Sequence, residues 1–333
     1  CSTSSLGAVA AEAELMATQI LQKLKAPLIL EGRSHQLTAC IGITLFHWPG
    51  TLSGDELLRQ ADIALKMAKR SNTNAISFFD SQMESLVKKR LEISQALNHA
   101  VENEELALAL QPQVDQNQRI IGFEALLRWQ HPKFKSLSPN DFIPIAEAND
   151  SIIALGDWVL EKSCQKLVKL AAQHSSRNVK ISVNVSAVQF RRGDFVARVK
   201  NILQSTGANP QNLCLELTES LIADDINFII EQMASLRELG VSISLDDFGT
   251  GYASLAYLTR LPLDELKIDR AFVRDLDGSS KGALLTETII SLGRSMNLTV
   301  IAEGVETEQQ FKRLQKMGCQ HFQGYLFGKP AIG

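Results

Sequence analysis

The sequence has 333 residues, 45% of them hydrophobic, with a net charge of −3 and a pI near 6.1. That length holds two domains, or one large barrel with an appended unit, and burying a core is no difficulty. The charge balance argues against a basic nucleic-acid-binding surface, so no nucleic-acid polymer is expected as a partner.

The five cysteines, Cys1, Cys40, Cys164, Cys214 and Cys319, are scattered and odd in number, with no Cys-x-x-Cys. They predict buried thiols in a reducing compartment, hence a cytoplasmic location, and neither a zinc site nor a disulfide framework. No apolar run approaches the roughly 20 residues of a membrane helix, and no signal peptide is visible. This segment is therefore expected to make no membrane contact of its own. The chain starts at Cys1 without a methionine and is expected to be a piece of a longer protein.

In chain order, residues 6–30 predict a helix running into a strand-like end at Pro27–Leu30. Gln36 to Phe46 alternates as a strand does, and Gly54 to Arg70 carries Leu57, Leu58, Ala61 and Leu65 at helical spacing. Asn74 to Phe79 reads as a further strand. This first α/β unit, residues 1–80, is too small for a complete sheet domain. Ser81-Gln-Met-Glu84 forms a capping box that opens a helix to about Glu102. That helix is the expected connector, 81–104, to a second domain at 105–333.

From Leu106 onward strands and helices alternate. Candidate strands are 106–114, 119–128, 179–185, 212–217, 241–246, 264–269, 298–303 and 320–326. Candidate helices are 139–148, 151–174, 194–205, 225–239, 252–260, 282–296 and 307–317. The pattern predicts a TIM-type (β/α)8 barrel. The first two strands are joined by only Asp115-Gln-Asn-Gln118, which makes a hairpin and not a parallel crossover. One strand should therefore run antiparallel to the rest.

In such a barrel the active site lies at the C-terminal ends of the strands. Acidic and amide residues collect there: Glu124, Asn184, Glu216 with Glu219, Asp246 and Asp247, Lys267 and Asp269, Glu303 with Glu306, and Gln323. Each has an ordinary explanation by itself, as a helix cap, a satisfied core amide or a salt bridge. Their recurrence at one end of nearly every strand points to a shared site. Hard oxygen donors suit Mg2+ or Mn2+ and would not select zinc. Two adjacent carboxylates at 246 and 247 would repel unless a cation neutralised them. The acidic clusters with a lysine suggest two-metal hydrolysis, in which ions about 3.5–4 Å apart stabilise in-line displacement. No Gly-x-Ser-x-Gly is present for a serine triad. Asp246-Asp-Phe-Gly249 occurs without the other kinase motifs.

These motifs, in this order, resemble the EAL family of cyclic di-GMP phosphodiesterases over about residues 105–330. The resemblance rests on Glu124-Ala-Leu-Leu-Arg-Trp129, Asn184-Val-Ser186, Glu216-Leu-Thr-Glu219, Asp246-Asp-Phe-Gly-Thr-Gly-Tyr252, Leu266-Lys-Ile-Asp269, Glu303-Gly-Val-Glu306 and Gln323-Gly324. It implies a TIM-type barrel with one antiparallel strand that hydrolyses cyclic di-GMP to linear pGpG with two Mg2+ or Mn2+ ions, Ca2+ inhibiting. It further implies that Glu124, Asn184, Glu216 and Asp246 hold one metal. Asp246 would bridge, and Asp247 with Glu303 would serve the second. Lys267 would hold the attacking water, Glu306 would support this group, and Gln323 would orient a water at the metal. Glu219 would brace the loop after Asp247, which in the family couples metal binding to dimerisation, so a homodimer through this domain is expected. Gln111, Leu126 and Arg128 would grip the dinucleotide, the planar guanidinium suiting a phosphate, with Glu124, Asp247 and Gln323 also facing it.

Departures from the family pattern are few. Leu110 stands where a tyrosine is common, which would alter how a base stacks, and Ala253 replaces a common serine. Residues 1–80 resemble the C-terminal part of a GGDEF domain through Cys40-Ile-Gly-Ile43, Ala61-Asp-Ile-Ala-Leu65 and Ala68-Lys69. The Gly-Gly-Asp-Glu-Phe signature is absent, Thr73 replaces a phosphate-binding arginine, and Lys66 replaces a common tyrosine. This unit is therefore expected to be partial and degenerate. Two functions follow for the second domain: an active phosphodiesterase, or a receptor that binds cyclic di-GMP without cleaving it. The complete ligand set favours the enzyme. An unrelated metal-dependent barrel, such as an enolising lyase, has only generic acidic residues in its favour.

Overall fold

The computed structural model describes residues 6–24, 28–30, 33–35, 37–46, 52–71, 74–173, 179–219, 221, 225–249, 258–277 and 280–332. Thr73, Cys1 and residues 250–257, which include Ala253 and most of the expected helix 252–260, lie outside them. The chain divides into two compact units, Cys1–Ile93 and Ser94–Gly333.

The first unit contains α1 (Leu6–Leu24), the antiparallel pair β1 (Leu28–Leu30) and β2 (Arg33–His35), β3 (Ile41–Ile43), α2 (Gly54–Ser71) and β4 (Ile76–Phe78). β3 and β4 pair in parallel over three residues each. The strand expected over Gln36–Phe46 is thus far shorter. Its alternation extends beyond β3, but a ladder reaches only as far as its partner does. Asn74, at φ 62°, sits outside β4, and its side chain accepts a hydrogen bond from the Ala39 N–H instead. Helix α3 (Ser81–Leu97) contains the division between the units and stops short of the expected Glu102. A series of turns follows, in which Glu104 takes φ 55° and the Glu105 N–H returns to the Ala100 carbonyl. The side chains of 81–88, which carry the expected capping box, are outside the described set.

The second unit is a closed barrel. Its strands are β5 (Leu106–Asp115), β6 (Ile120–Trp129), β7 (Lys180–Asn184), β8 (Leu213–Thr218), β9 (Ser242–Phe248), β10 (Glu265–Ile268), β11 (Thr299–Ala302) and β12 (His321–Gln323). They follow one another in space as in sequence, and β12 closes onto β5. Closure leaves these strands no open sheet edge. β5 is antiparallel to both neighbours and the other pairings are parallel. The reversal comes from the short turn after Asp115, whose carboxylate accepts from the backbone N–H of Asn117 and Arg119, each at 2.8 Å. A two-residue strand, β13 (Ala331–Ile332), adds to β5 at Leu110 and Ala109 and was not foreseen.

β10 is buried throughout and β8 up to its last residue, Thr218, as expected of strands covered on both faces. Around them lie α4 (Pro139–Ala148), α5 (Ser151–Gln173), the single turn α6 (Ala187–Phe190), α7 (Phe195–Thr206), α8 (Ile226–Glu238) and the helices Arg270–Arg274, Ser280–Ser295 and Glu308–Lys316. One continuous core joins strand residues Ile181, Leu215, Ile243 and Leu266 to helix residues Leu160, Met233, Ile290 and Leu314. Fully burying an aliphatic side chain of this kind contributes about 1.5–3 kcal/mol. This rigid wall fixes the strand ends that carry the polar residues.

Candidate active site

The site begins with period-two alternation on the hairpin. Gln111 pairs across from Glu124, Ala109 from Leu126 and Ala107 from Arg128, so these residues share one face. Leu110 falls on the opposite face and lines an outer pocket with Leu108, Trp158 and Lys162. Its neighbour Gln111, opposite Glu124, takes the other face.

A chain of buried amides closes the barrel seam. Gln113 Nε2 donates to Gln323 Oε1 at 3.0 Å, and Gln323 Nε2 donates to Gln111 Oε1 at 3.2 Å and to Glu124 Oε2. Gln111 Nε2 donates to the Gly328 carbonyl at 3.2 Å. Asn184 Nδ2 donates to Glu124 Oε1 at 2.6 Å. Gln113 was missed from sequence, although its spacing of two from Gln111 was a usable signal.

The adjacent aspartates pose a geometric problem, because successive strand residues point to opposite faces. The solution is a bulge within β9. The register with β10 shifts so that Asp246 and Asp247 together stand opposite Lys267, between the pairs Leu245–Leu266 and Phe248–Ile268. Asp247 takes φ 55°, a left-handed conformation that Asp and Asn tolerate better than most residues. One carboxylate oxygen each of Asp246, Asp247 and Glu303 then lies within 4.8 Å of the others. The strand expected over 241–246 left Asp247 outside it, whereas β9 runs on to Phe248.

Lys267 stands among the carboxylates. Its Nζ is 2.6 Å from Glu303 Oε1, 2.8 Å from Glu216 Oε2, 3.3 Å from Asp246 Oδ1 and 3.9 Å from Glu124 Oε1. Burial opposes its charge, but these four carboxylates together hold its pKa well above the ordinary lysine value. Burial, with the neighbouring Glu124, Asp246 and Glu303, pushes Glu216 well up against the pull of Lys267. Burial likewise raises Glu303 to about 8, with Lys267 opposing and Asp246 and Glu124 assisting. Asp247 rises to about 6 through burial, then through Asp246 and a hydrogen bond with Asp269. Negative charge thus exceeds what one lysine neutralises. Glu216 Oε1 is buried with no hydrogen-bond partner, an unusual state for a carboxylate oxygen. All-oxygen donors, a crowd of carboxylates and an orphaned acceptor fit a hard divalent cation.

Glu219 Oε1 accepts the Gly249 N–H at 2.8 Å. Gly249 has φ 97°, which favours glycine, so the carboxylate holds the backbone immediately after the bulge. The Glu306 side chain is exposed and lines a cavity of about 490 Å3 with Asp269, Arg270 and Arg274, while its N–H donates to Gln310 Oε1. Arg128 donates to the Leu127 carbonyl at 2.9 Å. A second cavity of about 600 Å3 adjoins the aspartates and is lined by Leu126, Pro144, Glu147, Leu155, Asn184 and Gln189, among others. Its helical wall, from α4 and α5, was not foreseen.

A family model described as "EAL domain" matches residues 94–330, and one described as "Diguanylate cyclase, GGDEF domain" matches residues 3–75. The bifunctional diguanylate cyclase/cyclic di-GMP phosphodiesterase MucR of Pseudomonas aeruginosa is 39% identical over 322 residues, covering 96% of this chain and 47% of its own length. The cyclic di-GMP phosphodiesterase NbdA of the same organism is 39% identical over 320 residues, covering 96% of this chain and 41% of its own. The chain spans less than half the length of these two curated relatives. Among solved structures, the MucR phosphodiesterase in complex with c-di-GMP superposes with a TM-score of 0.69 at 42% identity, over 73% of this chain and 98% of that one.

Proposed function

Since the chain belongs to the EAL-domain family, we propose that it hydrolyses one phosphodiester of cyclic di-GMP to give linear pGpG. The observation that carries this proposal is the convergence of Asp246, Asp247 and Glu303 around buried Lys267, beside a cavity of nucleotide dimensions. Glu124, Asn184, Glu216 and Asp246 would hold one divalent ion, and Asp246, Asp247 and Glu303 a second. Bound there, Mg2+ or Mn2+ supplies Lewis-acid polarisation of a phosphoryl oxygen and lowers the pKa of water. Ca2+ accepts longer and looser coordination and should inhibit.

The chain's own groups do the rest. Arg128 sets its planar fork against a phosphate, and Gln111 and Leu126 seat the dinucleotide on the inner face of the hairpin. Lys267 donates from Nζ to the attacking water. The water oxygen forms the new P–O bond, the bond from phosphorus to the ribose 3′-oxygen breaks, and a proton ends on that oxygen. Glu306 supports this group from the rim, Gln323 orients a water near Glu124, and Glu219 holds the backbone that presents Asp247. On this proposal the domains are a partial GGDEF-like unit at 1–80, a connecting helix at 81–104 and the phosphodiesterase barrel at 105–333. The reduced thiols at Cys40, Cys164, Cys214 and Cys319 suit a cytoplasmic setting. A homodimer through the barrel belongs to the same proposal.

The test is incubation with cyclic di-GMP and Mg2+, with pGpG followed by chromatography and a chelator control. Binding without any pGpG would favour the receptor, and full activity in excess chelator would refute the metal site.

A further inference from the structure

Resting on the proposed cyclic di-GMP chemistry, we propose that Gln189 is a ligand-binding residue, whose side-chain amide donates a hydrogen bond to an acceptor on a purine base seated in the cavity beside Asp247. Gln189 is 2% exposed, yet its Nε2 has no hydrogen-bond partner. A buried amide donor left unmatched is costly, and native structures rarely keep one without a partner that arrives later. Gln189 lines the same cavity of about 600 Å3 as Asn184, Asp246 and Asp247.

The surroundings are arranged for this amide. Ser186 caps the single turn α6, its Oγ accepting the Val188 N–H at 3.2 Å, and the turn delivers Gln189 to the cavity wall. Ser186 Oγ also donates to Glu147 Oε1 at 2.5 Å, tying the turn to α4. The carboxamide lies flat on α5 at Gly156, where a methyl group would overlap both its nitrogen and its oxygen. Glycine inside a helix is unfavourable relative to alanine. Here it keeps the space that the amide occupies.

The cavity suits a base. Ile143, Pro144, Ile152 and Leu155 offer apolar walls to its flat faces, and ligand pockets commonly combine such walls with a few placed polar groups. Guanine presents O6 and N7 as acceptors on one edge. An unpartnered N–H donor in the wall of this cavity matches that edge.

The test compares wild type, Gln189→Met and Gly156→Ala for cyclic di-GMP affinity in Ca2+, with turnover checked in Mg2+ and the melting temperature measured without ligand. Methionine keeps the length and removes the unmatched donor. The expected result is a dissociation constant and KM raised about tenfold, the worth of roughly one hydrogen bond, with kcat little changed and the melting temperature equal or higher. Gly156→Ala should raise the dissociation constant similarly, because it displaces the amide without removing it. An affinity within about twofold of wild type in folded Gln189→Met would overturn the inference, whatever the melting temperature; the amide would then serve only an internal water. Should that variant not fold, Gly156→Ala decides by the same criterion. Failure of the wild type itself to bind cyclic di-GMP would instead refute the underlying function, and this inference with it.

Discussion

Lys267 Nζ lies 2.6 Å from Glu303 Oε1, joining strand β10 to the turn that follows β11. The same ammonium is shared with Glu216, Asp246 and Glu124. Replacing it with methionine would leave buried carboxylates facing one another. Breaking a buried pair in this way costs about 3–5 kcal/mol, less whatever protonation relieves. Lys267→Met should therefore melt well below wild type in chelator, recover more than wild type on adding Mg2+, and hydrolyse cyclic di-GMP orders of magnitude more slowly. An unchanged melting temperature in chelator would show that the lysine does not hold the carboxylates together.

Asp247→Asn should separate binding from cleavage. Asparagine accepts the left-handed conformation at φ 55°, so the bulge should survive. Glu124, Asn184, Glu216 and Asp246 are untouched, and so are Arg128 and Gln111. What is lost is the charge that serves the second ion, and losses of this electrostatic kind are worth several kcal/mol. Calorimetry should find cyclic di-GMP binding retained while hydrolysis falls by orders of magnitude. Hydrolysis near the wild-type rate would refute the two-metal assignment, and complete loss of binding would mean that Asp247 holds the fold.

Glu219→Ala should lower activity without removing a metal-binding group. Its carboxylate holds the Gly249 N–H, and that bond fixes the backbone behind Asp247. A hydrogen bond to a charged group is worth about 1.5–3 kcal/mol, enough to let Asp247 drift from Asp246 and Glu303. The expected outcome is weaker Mg2+ affinity and a reduced rate, with a melting temperature lowered by several degrees. Normal rate and normal metal affinity would reduce Glu219 to a loop contact with no bearing on the site.

His321 predicts a pH effect remote from the metal ligands. Burial lowers its pKa, with Lys180 assisting and Glu265 and Asp115 opposing, and its Nδ1 is buried without a partner. The unfolded chain therefore takes up the proton first as pH falls. Stability from the neutral imidazole is present above about pH 6.5 and lost as pH drops through the depressed folded value. Thermal melts between pH 7.5 and 5 should show this decline, and His321→Gln should flatten part of it. Parallel curves for the two proteins would exclude His321 as the source.

The first unit should make no cyclic di-GMP from GTP. The residues that match the GGDEF model, 3–75, lack the Gly-Gly-Asp-Glu-Phe signature and carry Thr73 where arginine is expected. Incubation with GTP and Mg2+, with the phosphodiesterase silenced by Asp247→Asn, should yield no cyclic dinucleotide. Its accumulation would overturn this expectation.

The barrel strands were legible because apolar runs ending in polar residues recur at a spacing that local chemistry sets. The hairpin at Asp115 was legible because four residues cannot make a crossover. Gln36–Phe46 was misjudged because alternation reports which face a residue takes, not how far a partner strand extends. The α3 end was misjudged because its apolar spacing continues past Leu97, where the backbone turns.

By itself the sequence determined the order of the strands, the reversed first strand and the set of oxygen-bearing residues, since each depends on neighbours close along the chain. Only the tertiary structure decided that Lys267 is shared by four carboxylates, that Gln113, Gln323, Gln111 and Glu124 form one chain of hydrogen bonds across the seam, and that Leu110 turns its back on the site. It also decided that a bulge within β9 aims Asp246 and Asp247 together. These relationships join residues distant in sequence, and they exist only once the barrel has closed and its strands have taken register. Periodicity carries no record of that closure.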